Sequence, residues 1–166
     1  MILSGGKYFR LMDKKIAAKK FIKLIEIVEK LRGPNGCPWD KEQTHESLLQ
    51  YFLEEIYEVI ESVDEKNWCV LEEELGDVLL HIILQAQIAK ETNKFDISGS
   101  LDMINKKLVK RQPHVFGNKN LAVSVEAKQT WESIKHIEKK RESRLDGVPS
   151  KLPALVRAQR LQEKAS

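Results

Sequence analysis

Residues 48–63 read LLQYFLEEIYEVIESV, and after a short break residues 71–89 read LEEELGDVLLHIILQAQIA. Apolar residues recur every three or four positions in both segments, which is typical of amphipathic helices. In the first segment these residues are Leu48, Leu49, Phe52, Leu53, Ile56, Val59, Ile60 and Val63. In the second they are Leu71, Leu75, Val78, Leu79, Ile82, Ile83, Ala86 and Ala89. The connection at Asn67 is short, so the two helices are predicted to be antiparallel neighbours.

The sequence before this pair predicts one more long helix. Helical spacing runs from Ile16 to Leu31 and stops at the breaker cluster of residues 33–36, Gly-Pro-Asn-Gly. The following GCPWD at residues 36–40 is predicted to be an ordered loop. Thr44, or Ser47 one turn later, is the expected N-cap of the next helix.

The sequence after residue 93 predicts three further helices. Ser98 or Ser100 is the expected N-cap of a helix that stops at Pro113, and residues 114–120 are expected to form a loop. A helix is predicted at residues 124–144, and a last amphipathic piece at residues 152–164. No alternating strand pattern longer than a few residues occurs, so the predicted fold is all-α and bundle-like.

Length and composition indicate a single water-soluble domain. The chain has 166 residues, of which 42% are hydrophobic and 32% are charged. No apolar run reaches the ~20 residues of a membrane span, and the first fifteen residues lack the apolar stretch of a secretory signal. Two cysteines imply no disulfide framework, so a reducing cytoplasm is expected. We expect a tail at residues 1–15 and one domain at 16–166, cut from a longer chain because its end lies inside a helical pattern.

Charge is distributed unevenly along the chain. Residues 1–89 carry 11 basic and 16 acidic residues, whereas residues 90–166 carry 17 basic and 9 acidic residues. Between Thr44 and Asp77 there are 11 acidic residues and one basic residue, Lys66. An acidic half beside a basic half suits a cation together with a polyanion, although solvated helix faces have the same composition.

The acidic residues of the central helices form two groups at helical spacing. Glu54, Glu55 and Glu58 lie at positions i, i+1 and i+4 of the first helix, and Glu74 and Asp77 lie at i and i+3 of the second. At 100° per residue, one member of each i, i+3 pair falls at the edge of the apolar stripe. Packing the two stripes together is therefore expected to bring four carboxylates close to one another.

Such a cluster suits a hard divalent cation. Close carboxylates repel one another unless a cation lies among them, and Mg²⁺ prefers carboxylate oxygens, water and phosphates. Neither pair contains a cysteine or histidine, which argues against zinc. Acidic residues also decorate exposed helix faces, so the metal site and the exposed face both stay open on this pattern alone.

The basic half offers a complement to phosphate. Lys106, Lys107, Lys110 and Arg111 form a cationic group late in the fourth predicted helix. Positions i and i+4, such as Lys107 and Arg111, can reach the same phosphate chain, although cations are also favoured at any helix C-terminus. Trp39 and Trp131 are candidates for stacking on a nucleobase, with core packing as the alternative. Aromatic residues are not interleaved with the basic group, which disfavours nucleic-acid binding.

Five blocks in this order resemble the MazG family of nucleoside triphosphate pyrophosphohydrolases. They are GCPWDKEQTHESL at 36–48, LEEIYEV at 53–59, EEELGDVLLHIILQAQIA at 72–89, KLVKRQPHVFG at 107–117 and WExIK at 131–135. The family pattern EExxE followed by ExxD matches Glu54-Glu55-x-x-Glu58 and Glu74-x-x-Asp77. The resemblance implies an all-α four-helix core of the NTP pyrophosphatase type, with helices contributed to a homodimer or higher homo-oligomer.

The resemblance also implies a chemistry. It implies Mg²⁺-dependent hydrolysis of nucleoside triphosphates to the monophosphate and pyrophosphate in nucleotide house-cleaning, with Mn²⁺ as a substitute metal. Glu55, Glu58, Glu74 and Asp77 become metal ligands, and Glu54 becomes a further ligand or a residue that positions water. The implied contacts to triphosphate and base are Lys107, Lys110, Arg111, Trp131 and Trp39. A non-enzymatic helical interaction module or a nucleic-acid-binding domain is the alternative, and it predicts no dependence on Mg²⁺.

Overall fold

The computed structural model describes residues 13–116, 138, 143 and 145–165. The helices in these ranges are α1 (Lys14–Arg32), α2 (Pro38–Glu42), α3 (Leu49–Asp64), α4 (Trp68–Glu91), α5 (Ile97–Arg111), α6 (Pro113–Phe116) and α7 (Ala154–Ala165). No strand occurs in these ranges, and the predicted all-α class is confirmed. The chain divides into two compact units, one ending at Ser100 and the other beginning at Leu101. None of the described helices combines the length and apolarity needed to cross a bilayer.

Helix α1 begins and ends at residues suited to those positions. The Asp13 carboxylate accepts hydrogen bonds from the backbone N–H groups of Lys15 and Ile16, which leaves fewer unpaired donors in the first turn. At the other end the chain turns at Gly33, and Lys30 and Arg32 place positive charge beside the last carbonyls. The helix predicted at residues 16–31 is confirmed.

The chain after α1 returns close to the end of that helix. A Cβ atom at Gly36 would lie 2.0 Å from the carbonyl oxygen of Leu31, so only glycine fits there. The N–H of Cys37 donates to the same carbonyl at 2.8 Å. The prediction of a loop at residues 36–40 is wrong in part, because Pro38 begins the short helix α2. The fixed φ of proline suits a first helical position, where no N–H is needed.

The start of α3 differs from the expected cap. The side chains of Thr44 and Ser47 each accept from the other's backbone N–H, at 3.2 and 2.9 Å. This reciprocal pair stabilises a turn at residues 45–48 rather than the first turn of the helix. The residue at the N-cap of α3 is Leu48, and its side chain forms no capping hydrogen bond. Leu48 is fully buried, so packing rather than capping positions the start of α3.

Helices α3 and α4 form the expected antiparallel pair. The turn between them uses a left-handed Lys66, with φ of 56°, and Asn67 then caps α4 by accepting from Val70 N–H. At the opposite end, His45 just before α3 and Gln85 late in α4 share two hydrogen bonds, one through the backbone carbonyl of His45. These contacts at both ends fix the register of the two helices.

The core of the first unit lies between α1, the start of α3 and the second half of α4. Its buried residues are Val28, Leu48, Ile83, Leu84 and Ile88, and Phe21, Leu24, Ile25, Tyr51, Leu79 and Leu80 pack against them. Helix α4 therefore contacts both α1 and α3 and is the central helix of this unit. Fixing α4 in this way holds its acidic first half at a set position along α3.

The apolar stripe of α3 is only partly covered, contrary to the expectation that it faces inward. Its exposed members, with exposed fractions from 37% to 59%, are Leu49, Leu53, Ile56, Ile60 and Val63. The residues of α3 that contact α4 include Phe52, whose ring stacks on His81, and Glu55, whose Oε1 lies 3.7 Å from Nε2 of His81. The pattern predicted a helix correctly, but the centre of its apolar face is not the face packed on α4.

The caps and breaks around α5 differ from those predicted. The prediction of Ser98 or Ser100 as N-cap is wrong, because the Asp96 carboxylate accepts from Gly99 N–H at 2.9 Å. Pro113 ends α5 as expected, but it also begins α6, so the loop predicted from residue 114 is wrong as far as Phe116. The predicted helix at 124–144 lies outside the described residues except at two positions. The last predicted helix is confirmed as α7.

Candidate functional site

The two central helices bring three of the predicted carboxylates together. One oxygen each from Glu55 and Glu58 on α3 and from Glu74 on α4 lie within 4.8 Å of one another. Glu55 and Glu74 are half-buried and Glu58 is exposed, so the group opens to solvent at the edge of the helix pair. This is the convergence predicted from the i, i+3 spacing. We call Glu55, Glu58 and Glu74 the acidic cluster.

Asp77 lies beside the acidic cluster rather than within its 4.8 Å group. Its negative charge acts on both Glu55 and Glu74 and helps to raise their pKa values. It is half-buried on α4, one turn after Glu74. The fourth predicted carboxylate is therefore an electrostatic neighbour of Glu55 and Glu74.

The electrostatics of the cluster favour a cation. Desolvation raises the pKa of Glu55 above its usual range, and the charges of Asp77 and Glu58 raise it further. Desolvation also raises the pKa of Glu74, with Glu58 as the next cause. In the part of the chain that the structure describes, no lysine or arginine forms an ion pair with these carboxylates. Among the described residues, the cluster thus carries like charges at short range without a lysine or arginine partner, and a divalent cation would offset these charges.

The donor set fits Mg²⁺ by its chemistry. All three side chains offer hard carboxylate oxygens, which Mg²⁺ and Mn²⁺ prefer over sulfur or imidazole nitrogen. The open side of the cluster leaves room for water and phosphate oxygens, which complete the coordination of Mg²⁺ in nucleotide-binding sites. Glu55, Glu58 and Glu74, with Asp77 adjacent, are therefore the residues that can hold such an ion.

His81 belongs to this site although the sequence showed no partner for it. Its Nε2 lies 3.7 Å from Oε1 of Glu55, and its ring stacks on Phe52 of α3. Burial lowers the pKa of His81 below its usual value, while the charge of Asp77 acts in the opposite direction. The sequence feature that could have identified His81 is its position one turn after Asp77, on the side of α4 that faces α3.

Glu54 and Trp39, two further predicted site residues, lie outside the acidic cluster. Glu54 is exposed on α3 and is not part of the acidic cluster. The Trp39 ring is half exposed and meets the ring of Tyr51 edge to face, with 5.9 Å between ring centroids. Tyr51 lies one turn before Glu55 on α3, so an exposed indole is anchored to the helix that supplies two cluster carboxylates. An indole so placed can stack on a planar ligand.

The predicted basic contacts belong to the second unit. Arg111 is buried, and its Nε and Nη2 donate to Oε2 of Glu138 at 2.9 and 2.6 Å. Lys110 pairs with Oε1 of the same residue at 2.9 Å, and the two cations lower the pKa of Glu138. Lys107 is exposed on α5. The fifth predicted contact, Trp131, lies outside the described residues.

The fold and the site place this chain among the all-helical proteins in which carboxylates on two antiparallel helices face one another and can hold a divalent cation. Within that class, residues 43–116, which include the acidic cluster, match the MazG nucleotide pyrophosphohydrolase domain. The chain is 30% identical to a MazG-related protein of Thermotoga maritima of known crystal structure, with a TM-score of 0.57. That similarity covers 70% of this chain and 97% of the other. The chain belongs to the MazG family.

Two curated relatives carry names that state an activity. The chain is 49% identical over 148 residues to the nucleoside triphosphate pyrophosphohydrolase/pyrophosphatase MazG of Thermotoga maritima. It is 41% identical over 148 residues to a nucleoside triphosphate pyrophosphohydrolase of Escherichia coli. These similarities cover 88% and 87% of this chain. The chain spans 56% of the length of each of these two relatives.

Proposed function

We propose that this chain hydrolyses nucleoside triphosphates to the nucleoside monophosphate and pyrophosphate, with Mg²⁺ held by Glu55, Glu58 and Glu74 and with Asp77 beside them. The observation that carries the proposal is the acidic cluster, in which three carboxylate oxygens lie within 4.8 Å. Membership of the MazG family supports it, as do the activity names of the two curated relatives. The substrate is a free nucleotide rather than nucleic acid.

The proposed reaction adds water across the bond between the α and β phosphates. The water oxygen forms a bond to the α-phosphorus, the bond to the bridging oxygen breaks, and pyrophosphate leaves with the electron pair. When bound, Mg²⁺ supplies positive charge that offsets the phosphate charge and polarises the phosphorus, and Mn²⁺ is a chemically similar substitute. A nearby carboxylate accepts the proton of the attacking water. Exposed Glu54, next to Glu55, is our candidate for positioning that water.

The substrate contacts are a separate part of the proposal. We assign Trp39 to the base, because its half-exposed indole is anchored by Tyr51 on α3. Trp131 is also assigned to the base, and this assignment is based on the family resemblance. Lys107 and Lys110 are assigned to the phosphates because both are exposed and positively charged, although Lys110 also pairs with Glu138. Arg111 keeps its assignment from the resemblance, although in this structure its guanidinium is bound to Glu138.

We also propose that the chain forms a homodimer through α3. The exposed apolar residues of α3 lie about one helical turn apart on one face, which we call the α3 apolar face: Leu49, Leu53, Ile56, Ile60 and Val63. A continuous apolar face is costly in water and typical of an interface. A second copy with the same face would cover it by twofold symmetry. We further propose a cytoplasmic location, which the presence of only two cysteines in the sequence supports.

The deciding experiment is a product analysis of the purified chain. A panel of nucleoside triphosphates is incubated with Mg²⁺ and, separately, with EDTA, and products are identified by anion-exchange chromatography. Monophosphate and pyrophosphate formed only with the metal support the proposal. Formation of the diphosphate and orthophosphate would keep a hydrolase but reject cleavage between the α and β phosphates. No turnover of any nucleotide under either condition would overturn the proposed function for this chain.

A further inference from the structure

The side chain of His81 is held rigidly at the edge of the acidic cluster. It is 7% exposed, and its ring lies nearly parallel to that of Phe52, with 5.6 Å between centroids and 20° between planes. Phe52 precedes Glu55 by three residues on α3, so both lie on the same side of that helix. The stack therefore fixes the imidazole relative to the helix that carries Glu55.

The two ring nitrogens of His81 have different surroundings. Nε2 faces Oε1 of Glu55 at 3.7 Å, within ion-pair distance although longer than a hydrogen bond. Nδ1 is buried and has no hydrogen-bond partner among the described residues. A neutral imidazole donates through one nitrogen only, and the carboxylate at Nε2 favours the tautomer with its proton there. In this tautomer the N–H at Nε2 of His81 faces Glu55, and the unprotonated Nδ1 is an acceptor without a partner among the described residues.

This arrangement is unfavourable for packing alone. A buried polar atom without a partner costs stability, whereas an apolar side chain of similar size would fill the same space without that cost. Glu55 meanwhile is repelled by Glu58 and Asp77, so a donor on the facing helix would help to keep its carboxylate directed into the cluster. Nε2 of His81, 3.7 Å from Oε1 of Glu55, is placed to act as that donor.

We propose that His81 is a positioning residue that holds the Glu55 carboxylate toward Glu58 and Glu74 and so raises the affinity of the cluster for a divalent cation. The inference rests on the metal site of the proposed function. His81 itself does not touch the cation or the nucleotide; it acts through Glu55. Groups that orient a metal ligand in this way typically change metal affinity by about 10- to 100-fold when they are removed.

The test compares three variants of the full chain with Mn²⁺ alone as the probe. His81→Gln places an amide nitrogen close to the position of Nε2, whereas His81→Asn is equally polar but too short to reach Glu55. His81→Leu removes the donor and keeps the volume. The Kd for Mn²⁺ is measured from the electron paramagnetic resonance signal of the unbound ion, and the unfolding temperature of each metal-free variant is measured by circular dichroism.

We expect the Asn and Leu variants to bind Mn²⁺ about 10-fold or more weakly than the parent chain, and the Kd of the Gln variant to stay within about 3-fold of the parent value. The unfolding temperature of the metal-free Leu variant should be no lower than that of the metal-free parent. Equal Kd values for the parent, Asn and Leu chains would overturn the inference while leaving the metal site intact. Equal weakening in all three variants would also overturn it, because the donor would then be irrelevant. If the Leu variant fails to fold, the Asn and Gln pair decides. Absence of Mn²⁺ binding by the parent chain would reject the proposed metal site itself.

Discussion

The guanidinium of Arg32 at the end of α1 lies against the carboxylate of Glu91 at the end of α4, with Nη2 2.8 Å from Oε2 and Nε 3.0 Å from Oε1. Arg32 Nη1 also donates to the backbone carbonyls of Asp40 and Gln43. The Arg32 side chain is 5% exposed and that of Glu91 is 35% exposed. This contact ties the first and fourth helices and the α2 segment together.

The Arg32–Glu91 pair predicts a pH-dependent contribution to stability. Arg32 holds the pKa of Glu91 below its usual range, so the pair stabilises the fold above pH ~5 and is lost as the pH falls through the lowered pKa. We expect Glu91→Gln to lower the free energy of unfolding by about 1 kcal/mol at pH 7, a value that allows for solvent screening. At pH 3 the variant and the parent should converge in urea titrations followed by circular dichroism.

The control for this prediction is the exposed pair of Lys23 and Glu26 on α1. Their side chains are 69% and 56% exposed, so Glu26→Gln should change stability by less than about 0.5 kcal/mol at either pH. A gap between Glu91→Gln and the parent that persists unchanged at pH 3 would show that Glu91 acts through something other than its charge.

Removing one ligand should abolish activity without unfolding the chain. Glu58 is exposed and belongs to the acidic cluster, so Glu58→Gln removes a proposed metal ligand while leaving the core untouched. We expect pyrophosphate release with Mg²⁺ to fall about 100-fold or more, since a bound metal supplies several kcal/mol of transition-state stabilisation. Asp77→Asn, which changes the half-buried neighbour of the cluster, should behave in the same way.

Glu61→Gln is the matched control, because Glu61 is exposed on the same helix but lies outside the cluster. Its activity should stay within about twofold of the parent. Circular dichroism spectra of all three variants should match that of the parent. Normal Mg²⁺-dependent turnover in both Glu58→Gln and Asp77→Asn would reject the assignment of the site.

Repulsion within the cluster predicts opposite effects of one substitution on stability and on metal binding. Desolvation, and next the charge of the adjacent Glu58, raise the pKa of Glu74, so Glu74→Gln should raise the unfolding temperature of the metal-free chain. Mg²⁺ at ~100 times its Kd should raise the unfolding temperature of the parent by about 5–10 °C, and that of the variant by far less. Differential scanning fluorimetry with Mg²⁺, and with KCl at equal ionic strength, separates a bound ion from salt screening.

The helices and the spacing of the carboxylates were predictable from the sequence because both depend on local periodicity. Residues three or four apart share a helix face, and a short connection forces two helices to be antiparallel. These two rules predict that four carboxylates converge, and three of the four, Glu55, Glu58 and Glu74, lie in one group. Caps were harder, because several polar residues compete at each helix start; at α5 the side chain of Asp96 forms the cap, and those of Ser98 and Ser100 do not.

Contacts between elements were not predictable in the same way. Hydrophobicity marks Leu53 and Leu48 alike as apolar, yet one is 56% exposed and the other is fully buried. That difference depends on how α3 is rotated against α4, which periodicity alone does not specify. The contact between His81 and Glu55 depends on the same rotation. The acidic partner of Arg111 lies 27 residues further along the chain, beyond any local pattern.

The α3 apolar face should control the oligomeric state. Leu53 and Ile60 are 56% and 48% exposed, so the double variant Leu53→Lys, Ile60→Lys places two charges in a face that a second copy would bury. Light scattering after size exclusion should give a dimer for the parent and a monomer for the variant. Leu155→Lys, at a residue of α7 that is 87% exposed, should leave the mass unchanged. A monomeric parent chain at high concentration would reject the dimer.

Trp39 should affect nucleotide binding rather than the chemical step. Its half-exposed indole contacts Tyr51 on the helix that carries Glu55, and stacking on a nucleobase contributes about 1–3 kcal/mol. We therefore expect Trp39→Leu to raise KM about tenfold or more for nucleoside triphosphates while kcat changes by less than about threefold. Trp68, which is 66% exposed at the start of α4, supplies the control substitution Trp68→Leu, with KM unchanged. If Trp39→Leu lowered kcat and left KM alone, the indole would act on the fold of the site and not on the base.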